Sequence, residues 1–207
     1  MVSERDRILG LIEYLKSLDI EVNFRKNKAR GNKGFFKVKS DKFRIDISKE
    51  LSDAEALRVL VHEFSHYVHY LNDKTLKSLD FLNLKFDEKI EDELISITVD
   101  LIPKDSIKPL FEMQKKIKKE INELQSQKIN LISRMELNAK QKLLNRVNSR
   151  ISRMNRYYNS KTELFARSIE MYAFDVDTFK DKAPNTYQYY ENFINNNKLM
   201  LNFFKYL

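Results

Sequence analysis

Glycine and proline are scarce in this chain, and their scarcity constrains its fold more than any other feature. The sequence has 3 glycines and 3 prolines among 207 residues, and its long stretches are rich in Leu, Ile, Lys, Glu, Asn and Gln. Sandwiches and barrels depend on frequent turns that these two residues supply. The chain therefore predicts a mostly helical fold with one hydrophobic core. Helical periodicity predicts helices over residues 4–18, 52–72, 91–101, 162–174 and 186–206.

Three β-rich runs interrupt the helical pattern in the first quarter of the chain. Residues 21–26, 34–40 and 42–48 alternate apolar and polar side chains or are rich in β-branched and aromatic residues. In the last run the apolar side chains fall on one face of the predicted strand. The fold class is therefore expected to be α+β and mostly helical, with a small three-stranded sheet.

All three histidines of the chain lie close together, at His62, His66 and His69. They belong to a predicted helix that begins with a capping box at residues 52–55. His62 and His66 are the two histidines of an HExxH motif, and residues four apart on a helix share one face. The pattern is typical of a site in which both imidazoles bind one zinc ion. We therefore expect Zn²⁺ as the cofactor, one ion per chain.

Glu63 lies between the two motif histidines and gives the motif its catalytic interpretation. A carboxylate beside the metal can take a proton from the attacking water and pass it to the leaving amine. The alternative is a helix that carries ordinary surface histidines. The capped, amphipathic helix around the motif favours the metal site, because this is the context that HExxH chemistry requires.

A catalytic zinc needs a third protein ligand, for which several residues are candidates. His69 lies about 10 Å from His62 along the helix axis, which suits a position beside the site or the substrate better than a ligand. The metzincin arrangement requires a glycine between HExxH and its third histidine. No glycine follows His66, so this arrangement is excluded. Glu163 and Glu170 lie seven residues apart on one later helix, and the pattern does not choose between them. Weaker candidates are Glu91, Asp92, Glu93 and Asp100.

The segment TELFARSIEMY, residues 162–172, resembles the second metal-binding helix of small zinc metallopeptidases of phages and other mobile elements. It is also similar to a segment of lethal-factor-type toxin peptidases, and residues 42–70 resemble the strand-and-helix unit of ImmA/IrrE-type gluzincins. In total the resemblance covers residues 42–70 and 157–174. It implies that Glu163 is the third metal ligand. It also implies a zincin-like core, zinc-dependent endopeptidase activity and a protein or peptide substrate.

Residues next to the expected ligands have predicted supporting roles. The related peptidases often have an aromatic pair here, which implies that Tyr157 or Tyr158 hydrogen-bonds the oxyanion of the tetrahedral intermediate. The alternative is that Tyr158 only packs. Thr162 is predicted to cap the helix that follows. Arg167 and Glu170 are expected either to contact the metal-binding histidines or to be exposed.

A basic segment separates the two predicted metal-binding helices. Residues 104–156 contain 14 Lys or Arg and 5 Asp or Glu, a balance of +9, whereas the rest of the chain has 24 basic and 25 acidic residues. Apolar residues recur at heptad spacing, so the segment predicts an inserted antiparallel helical hairpin with a turn near Asn138. Residues 1–103 and 157–207 are expected to form the metallopeptidase core.

The basic hairpin has several interpretations. If the hairpin is a recruitment arm, its expected partner is an acidic protein or a nucleic acid. The alternative is that the hairpin is a solvated coiled coil without a partner. A nucleic-acid-associated protein with a non-catalytic zinc site is the alternative to an enzyme, although the intact Glu63 argues against it. The third interpretation is that the hairpin pairs with the hairpin of a second copy of the chain. Gln114 and Lys128 at heptad core positions argue against it, because polar residues weaken an apolar zipper.

Composition also bears on the compartment. No window reaches the roughly 18 apolar residues of a membrane span, and charges interrupt the N-terminal region where a signal peptide needs an apolar stretch. The chain has no cysteine, which excludes thiolate metal ligands and a cysteine nucleophile. We therefore expect a cytoplasmic protein without a membrane partner. The many lysines and asparagines fit an AT-rich gene, so we expect that a bacterium or a phage encodes it.

Overall fold

The structure is a computed structural model that describes residues 3–26, 33–40, 42–84, 87–102, 104–126 and 131–207. The described residues are mostly helical with one small sheet, so the predicted α+β class is confirmed. The chain divides into a core unit, Met1–Val99 with Lys161–Leu207, and a hairpin unit, Asp100–Ser160. Within the described part of the chain, no helix combines the length and the apolar character that crossing a membrane requires.

Nine helices and three strands make up the described residues. In chain order they are α1 (Glu4–Ser17), β1 (Ile20–Arg25), β2 (Gly34–Lys39), β3 (Lys42–Ser48), α2 (Asp53–Asn72), α3 (Glu88–Thr98), α4 (Lys104–Ser126), α5 (Leu131–Tyr158), α6 (Lys161–Phe174), α7 (Val176–Lys182), α8 (Pro184–Asn196) and α9 (Lys198–Phe204). Short 3₁₀ turns cover Asp80–Leu82 and Val99–Leu101.

The sheet has the strand order β1-β3-β2, with β1 parallel and β2 antiparallel to β3. The amide of Ser48 donates to the carbonyl of Lys33 at 2.9 Å, and this bond sets the hydrogen-bonding phase of the antiparallel pair. Hydrogen-bonded and non-hydrogen-bonded residues alternate along an antiparallel strand. Because Lys33 is hydrogen-bonded to β3, Gly34, Phe36 and Val38 direct their backbone N–H and C=O groups away from β3. These groups form the outer edge of the sheet on the β2 side.

Helix α2 is the central element of the core unit. It begins with the predicted capping box: the Ser52 hydroxyl accepts from the Glu55 amide, and the Glu55 carboxylate accepts from the Ser52 amide. Its apolar face is fully buried against β2, β3, α1 and α6. The residues of this face include Leu57, Leu60, Val61, Phe64 and Val68. Two-sided packing therefore holds the HExxH motif in a rigid part of the protein.

The C-terminal region differs from the single helix predicted over residues 186–206. The chain forms α8 and α9 instead, with a break at Asn197. The Asn197 side chain accepts hydrogen bonds from the amides of Leu199 and Met200, and thereby caps α9. Asparagine competes with the helix backbone for such bonds, which is the physical reason for the break.

The hairpin unit consists of α4 and α5. Its core is a row of buried apolar side chains from both helices: Leu110, Ile117, Ile121, Leu144, Val147 and Ile151. Gln114 occupies a core position as predicted and donates from its side-chain amide to Asn148 at 2.8 Å. Glu120 pairs with Lys140, so positions later in α4 meet positions earlier in α5 and the helices are antiparallel.

The turn predicted near Asn138 is wrong. Asn138 lies inside α5 and is exposed, and α5 begins at Leu131, whose residue surface is 77% exposed. The reason is that Leu137 packs against the hairpin core, so tertiary contacts continue the helix through a residue of weak helix propensity. Lys128, predicted at a core position, lies outside the described residues.

Candidate metal centre

Two histidines and a glutamate converge in the core unit. Helix α2 presents His62 and His66 with ring centroids 4.9 Å apart. From the first turn of α6, Glu163 places Oε2 3.6 Å from His62 Nε2 and Oε1 3.4 Å from His66 Nε2. The three residues each offer a ligand atom within 4.8 Å of the other two. Ligand atoms of a tetrahedral zinc lie about 3.3 Å apart when the bonds are about 2.0 Å long, so this donor set and spacing fit zinc.

The remaining ring nitrogens of both histidines have partners of their own. His66 Nδ1 lies 2.9 Å from Thr162 Oγ1, and His62 Nδ1 lies 3.6 Å from Glu170 Oε2. Glu170 is in turn 3.4 Å from Arg58 Nη1. Such partners orient a ligand ring and select the tautomer that leaves Nε2 available for the metal.

These contacts distinguish the two glutamates that the sequence pattern left equivalent. Glu163 lies on the Nε2 side of both rings, whereas Glu170 lies on the Nδ1 side of His62. The geometry therefore favours Glu163 as the third ligand and Glu170 as a residue that positions His62. Thr162 does not cap α6 as predicted, because α6 begins at Lys161. Its hydroxyl contacts His66 instead.

The electrostatics of the cluster favour a charged glutamate. Burial opposes ionisation of Glu163, but its contacts with His62 and His66 hold its pKa below the ordinary value. Burial likewise opposes a charge on His62, yet Glu163 and Glu170 together raise the pKa of His62 to about 10. Arg167, which is 3% exposed, adds a positive charge 3.5 Å from Glu163. A metal ion at this site would compete with a proton for His62.

Glu63 is buried beside the cluster. Burial is the main cause that raises its pKa above the ordinary value, and the charge of Glu163 adds to it, while His62, His66 and a hydrogen bond from the Phe36 backbone act in the opposite direction. A carboxylate with a raised pKa is a stronger base than an exposed one. Burial thus shifts the proton affinity of Glu63 in the direction that general-base catalysis favours.

The outer edge of β2 comes close to Glu63 at the Phe36 amide and at Gly34. Gly34 permits this approach, since a β-carbon there would overlap Val59 and lie 3.2 Å from Glu63 Oε1. The edge of the sheet thus passes directly beside the HExxH motif. Sequence reasoning identified neither the Phe36 amide nor the role of Gly34, although a glycine within a β-rich run is a known signal of close backbone approach.

His69 does not take the position beside the site that was predicted for it. Its side chain is fully buried, and its Nε2 lies 2.7 Å from the Ser78 carbonyl oxygen, to which it donates. The ring packs against Phe81 and Phe165, and burial lowers its pKa. His69 is therefore a buried residue that ties α2 to the loop that follows it.

The other predicted site residues belong to other elements of the structure. Tyr157 and Tyr158 end α5 in the hairpin unit, with ring centroids 5.2 Å apart, and their role at the oxyanion stays a prediction. Glu91 and Asp92 are exposed on α3. Glu93 accepts from the amide and hydroxyl of Thr186, and so connects α3 to α8. The side chain of Asp100 lies outside the described residues.

Comparisons of the chain with family models, with curated proteins and with solved structures find no match. The functional conclusion below therefore depends on the residues of the site and on the motif resemblance.

Proposed function

We propose that the protein is a zinc-dependent endopeptidase with a zincin-like core, in which His62, His66 and Glu163 hold one zinc ion. The single observation that carries the proposal is Glu63, a buried carboxylate of raised pKa between the two histidine positions. A metal site that only stabilises a fold needs closed coordination and no adjacent base. The convergence of two imidazoles and one carboxylate supports an open position for substrate or water.

The residues of the site divide the chemistry among them. A bound zinc ion would supply Lewis-acid activation of water and of the scissile carbonyl. Glu63 accepts a proton from the attacking water and delivers it to the leaving amine. Thr162 and Glu170 hold the imidazoles in place from their Nδ1 sides.

The outer edge of β2 is the proposed substrate-binding strand. Gly34, Phe36 and Val38 direct alternate backbone groups outward, and the Phe36 amide lies near Glu63. An extended polypeptide that pairs with this edge would place its backbone beside the base and the metal ligands. The proposed substrate is therefore an unfolded or extended segment of a protein.

A peptidase assay tests the proposal. The full-length protein, loaded with zinc, is expected to cleave labelled casein at internal peptide bonds, which mass spectrometry identifies from the new termini. Treatment with 1,10-phenanthroline is expected to stop cleavage, and added zinc is expected to restore it, because the ion is a required part of the site. Casein and a mixture of random peptides that both stay intact with zinc-loaded protein would contradict the proposal, as would cleavage that survives removal of the metal.

A further inference from the structure

The exposed face of α5 carries charges of one sign. Lys142, Arg146, Arg150, Arg153 and Arg156 are all exposed, and we call these five residues the basic face. The other exposed positions between residues 141 and 156 are occupied by glutamine, asparagine and serine. From residue 137 to residue 158 the sequence contains no Asp or Glu. The face is therefore positive, polar and without an apolar centre.

The spacing of the basic face makes it a continuous stripe. Its members follow each other at intervals of four, four, three and three residues, which keeps them on one side of the helix. The stripe extends about 21 Å at 1.5 Å per residue. The opposite side of α5, with Leu144, Val147 and Ile151, is buried against α4. The stripe therefore points away from the partner helix.

The members of the basic face repel one another, whereas some charged residues of the neighbouring helix α4 form ion pairs. Like charges three and four residues apart destabilise a helix. On α4, Lys119 pairs with Glu123, and Glu120 pairs with Lys140 of α5. Among the described residues, no carboxylate forms an ion pair with a member of the basic face. A face kept positive at a cost to helix stability is typical of a surface that binds an anionic partner.

We propose that the basic face binds the phosphate backbone of a nucleic-acid duplex. Arginine guanidinium groups fit phosphate oxygens, and asparagine, glutamine and serine side chains donate hydrogen bonds to the same backbone. One exposed aromatic side chain, Tyr157, adjoins the end of the face, whereas surfaces that bind single strands stack successive bases on several aromatic rings. The face lacks the apolar centre of a protein interface, which disfavours an acidic protein as the partner.

Salt-dependent binding to a labelled duplex tests this proposal, which does not depend on the peptidase function. Fluorescence anisotropy of the full-length protein with a DNA duplex and with an RNA duplex is measured across a salt series. If five phosphates are neutralised, the plot of log K against log salt should have a slope of about −4 to −5. Binding to either duplex with this slope supports the proposal, and the stronger of the two identifies the form.

Two triple variants with the same loss of charge locate the binding. Arg146→Gln/Arg150→Gln/Arg153→Gln on the basic face is expected to reduce the slope by about 2.7 and to weaken binding at least about 10-fold. Lys115→Gln/Lys116→Gln/Lys118→Gln on α4 removes three exposed charges outside the stripe and is expected to change the slope by less than about 1. Circular dichroism checks that both variants keep their helix content.

Several results would overturn the proposal. One is that neither duplex binds at low salt, and another is that the two triple variants weaken binding equally. A third is that labelled poly-L-glutamate binds the wild-type protein more tightly than either duplex, since this would identify an acidic polypeptide as the partner. A fourth is tighter binding of a single strand than of the duplex. The last two use the wild-type protein and so do not depend on how the variants fold.

Discussion

Replacement of Glu63 by glutamine is expected to slow peptide hydrolysis by orders of magnitude while zinc stays bound. Glutamine has the size of glutamate and keeps a side-chain oxygen that accepts hydrogen bonds, but it cannot take a proton from water at neutral pH. General-base catalysis contributes about 10²- to 10⁴-fold to a rate, so kcat should fall by about this factor. Stability should not decrease, because the variant removes a carboxylate that burial disfavours in its ionised form.

The matched control for this prediction is Glu91→Gln. Glu91 is an exposed carboxylate of the core unit, on α3, and its replacement should leave kcat and zinc content unchanged. The measurements are kcat on a cleaved peptide, zinc content and the melting temperature of each variant. A Glu63→Gln protein that binds zinc and retains full activity would contradict the role assigned to Glu63.

The two glutamates of α6 are expected to differ strongly in their effect on zinc affinity. A structural zinc site contributes about 10–16 kcal/mol, so loss of one of four ligands costs about 2.5–4 kcal/mol if the ligands share it equally. That cost corresponds to a Kd about 10²- to 10³-fold higher for Glu163→Gln. Glu170→Gln removes a group that only orients His62, and such changes weaken binding about 10- to 100-fold.

A competition titration with a chromophoric zinc chelator measures both affinities on the same scale. The ranking follows from geometry, because Glu163 faces Nε2 of both histidines and Glu170 faces Nδ1 of His62 alone. A larger loss in Glu170→Gln than in Glu163→Gln would reverse the assignment of the third ligand. Equal losses would show that the metal binds between both carboxylates, and would contradict the assignment as well.

The HExxH helix was predictable because its determinants are local. The capping box, the apolar face and the four-residue spacing of His62 and His66 all lie within one helix, and each depends on the same helical geometry. The small sheet was predictable for a similar reason, since alternation of side chains follows from the geometry of a single strand. Its strand order was not, because that depends on contacts between segments distant in the sequence.

The third ligand was less predictable because it depends on how two helices cross. Residues seven apart lie on the same face of a helix two turns from each other, so sequence spacing makes Glu163 and Glu170 equivalent. Only the packing of α6 on α2 places Glu163 at the Nε2 atoms of the histidines and Glu170 at Nδ1 of His62. The role of Thr162 was missed for the same reason, although a hydroxyl next to an expected ligand is a natural partner for a histidine ring.

Errors at helix ends have a different cause. Asn138 and Asn197 are the same residue type, yet α5 continues through the first and the chain breaks at the second. At Asn138 the neighbouring Leu137 packs into the hairpin core and sustains the helix. At Asn197 the side chain satisfies two amides of the next helix. Local propensity is too weak to separate these cases without knowledge of the packing.

The zinc content of the protein tests the central claim most directly. Elemental analysis of the purified wild-type chain, before and after reconstitution, should give one zinc ion per chain, as a single site of three protein ligands requires. The double variant His62→Ala/His66→Ala should contain none after the same treatment. Wild-type protein that binds no zinc even when reconstituted would contradict the account, and so would a double variant that retains one ion per chain.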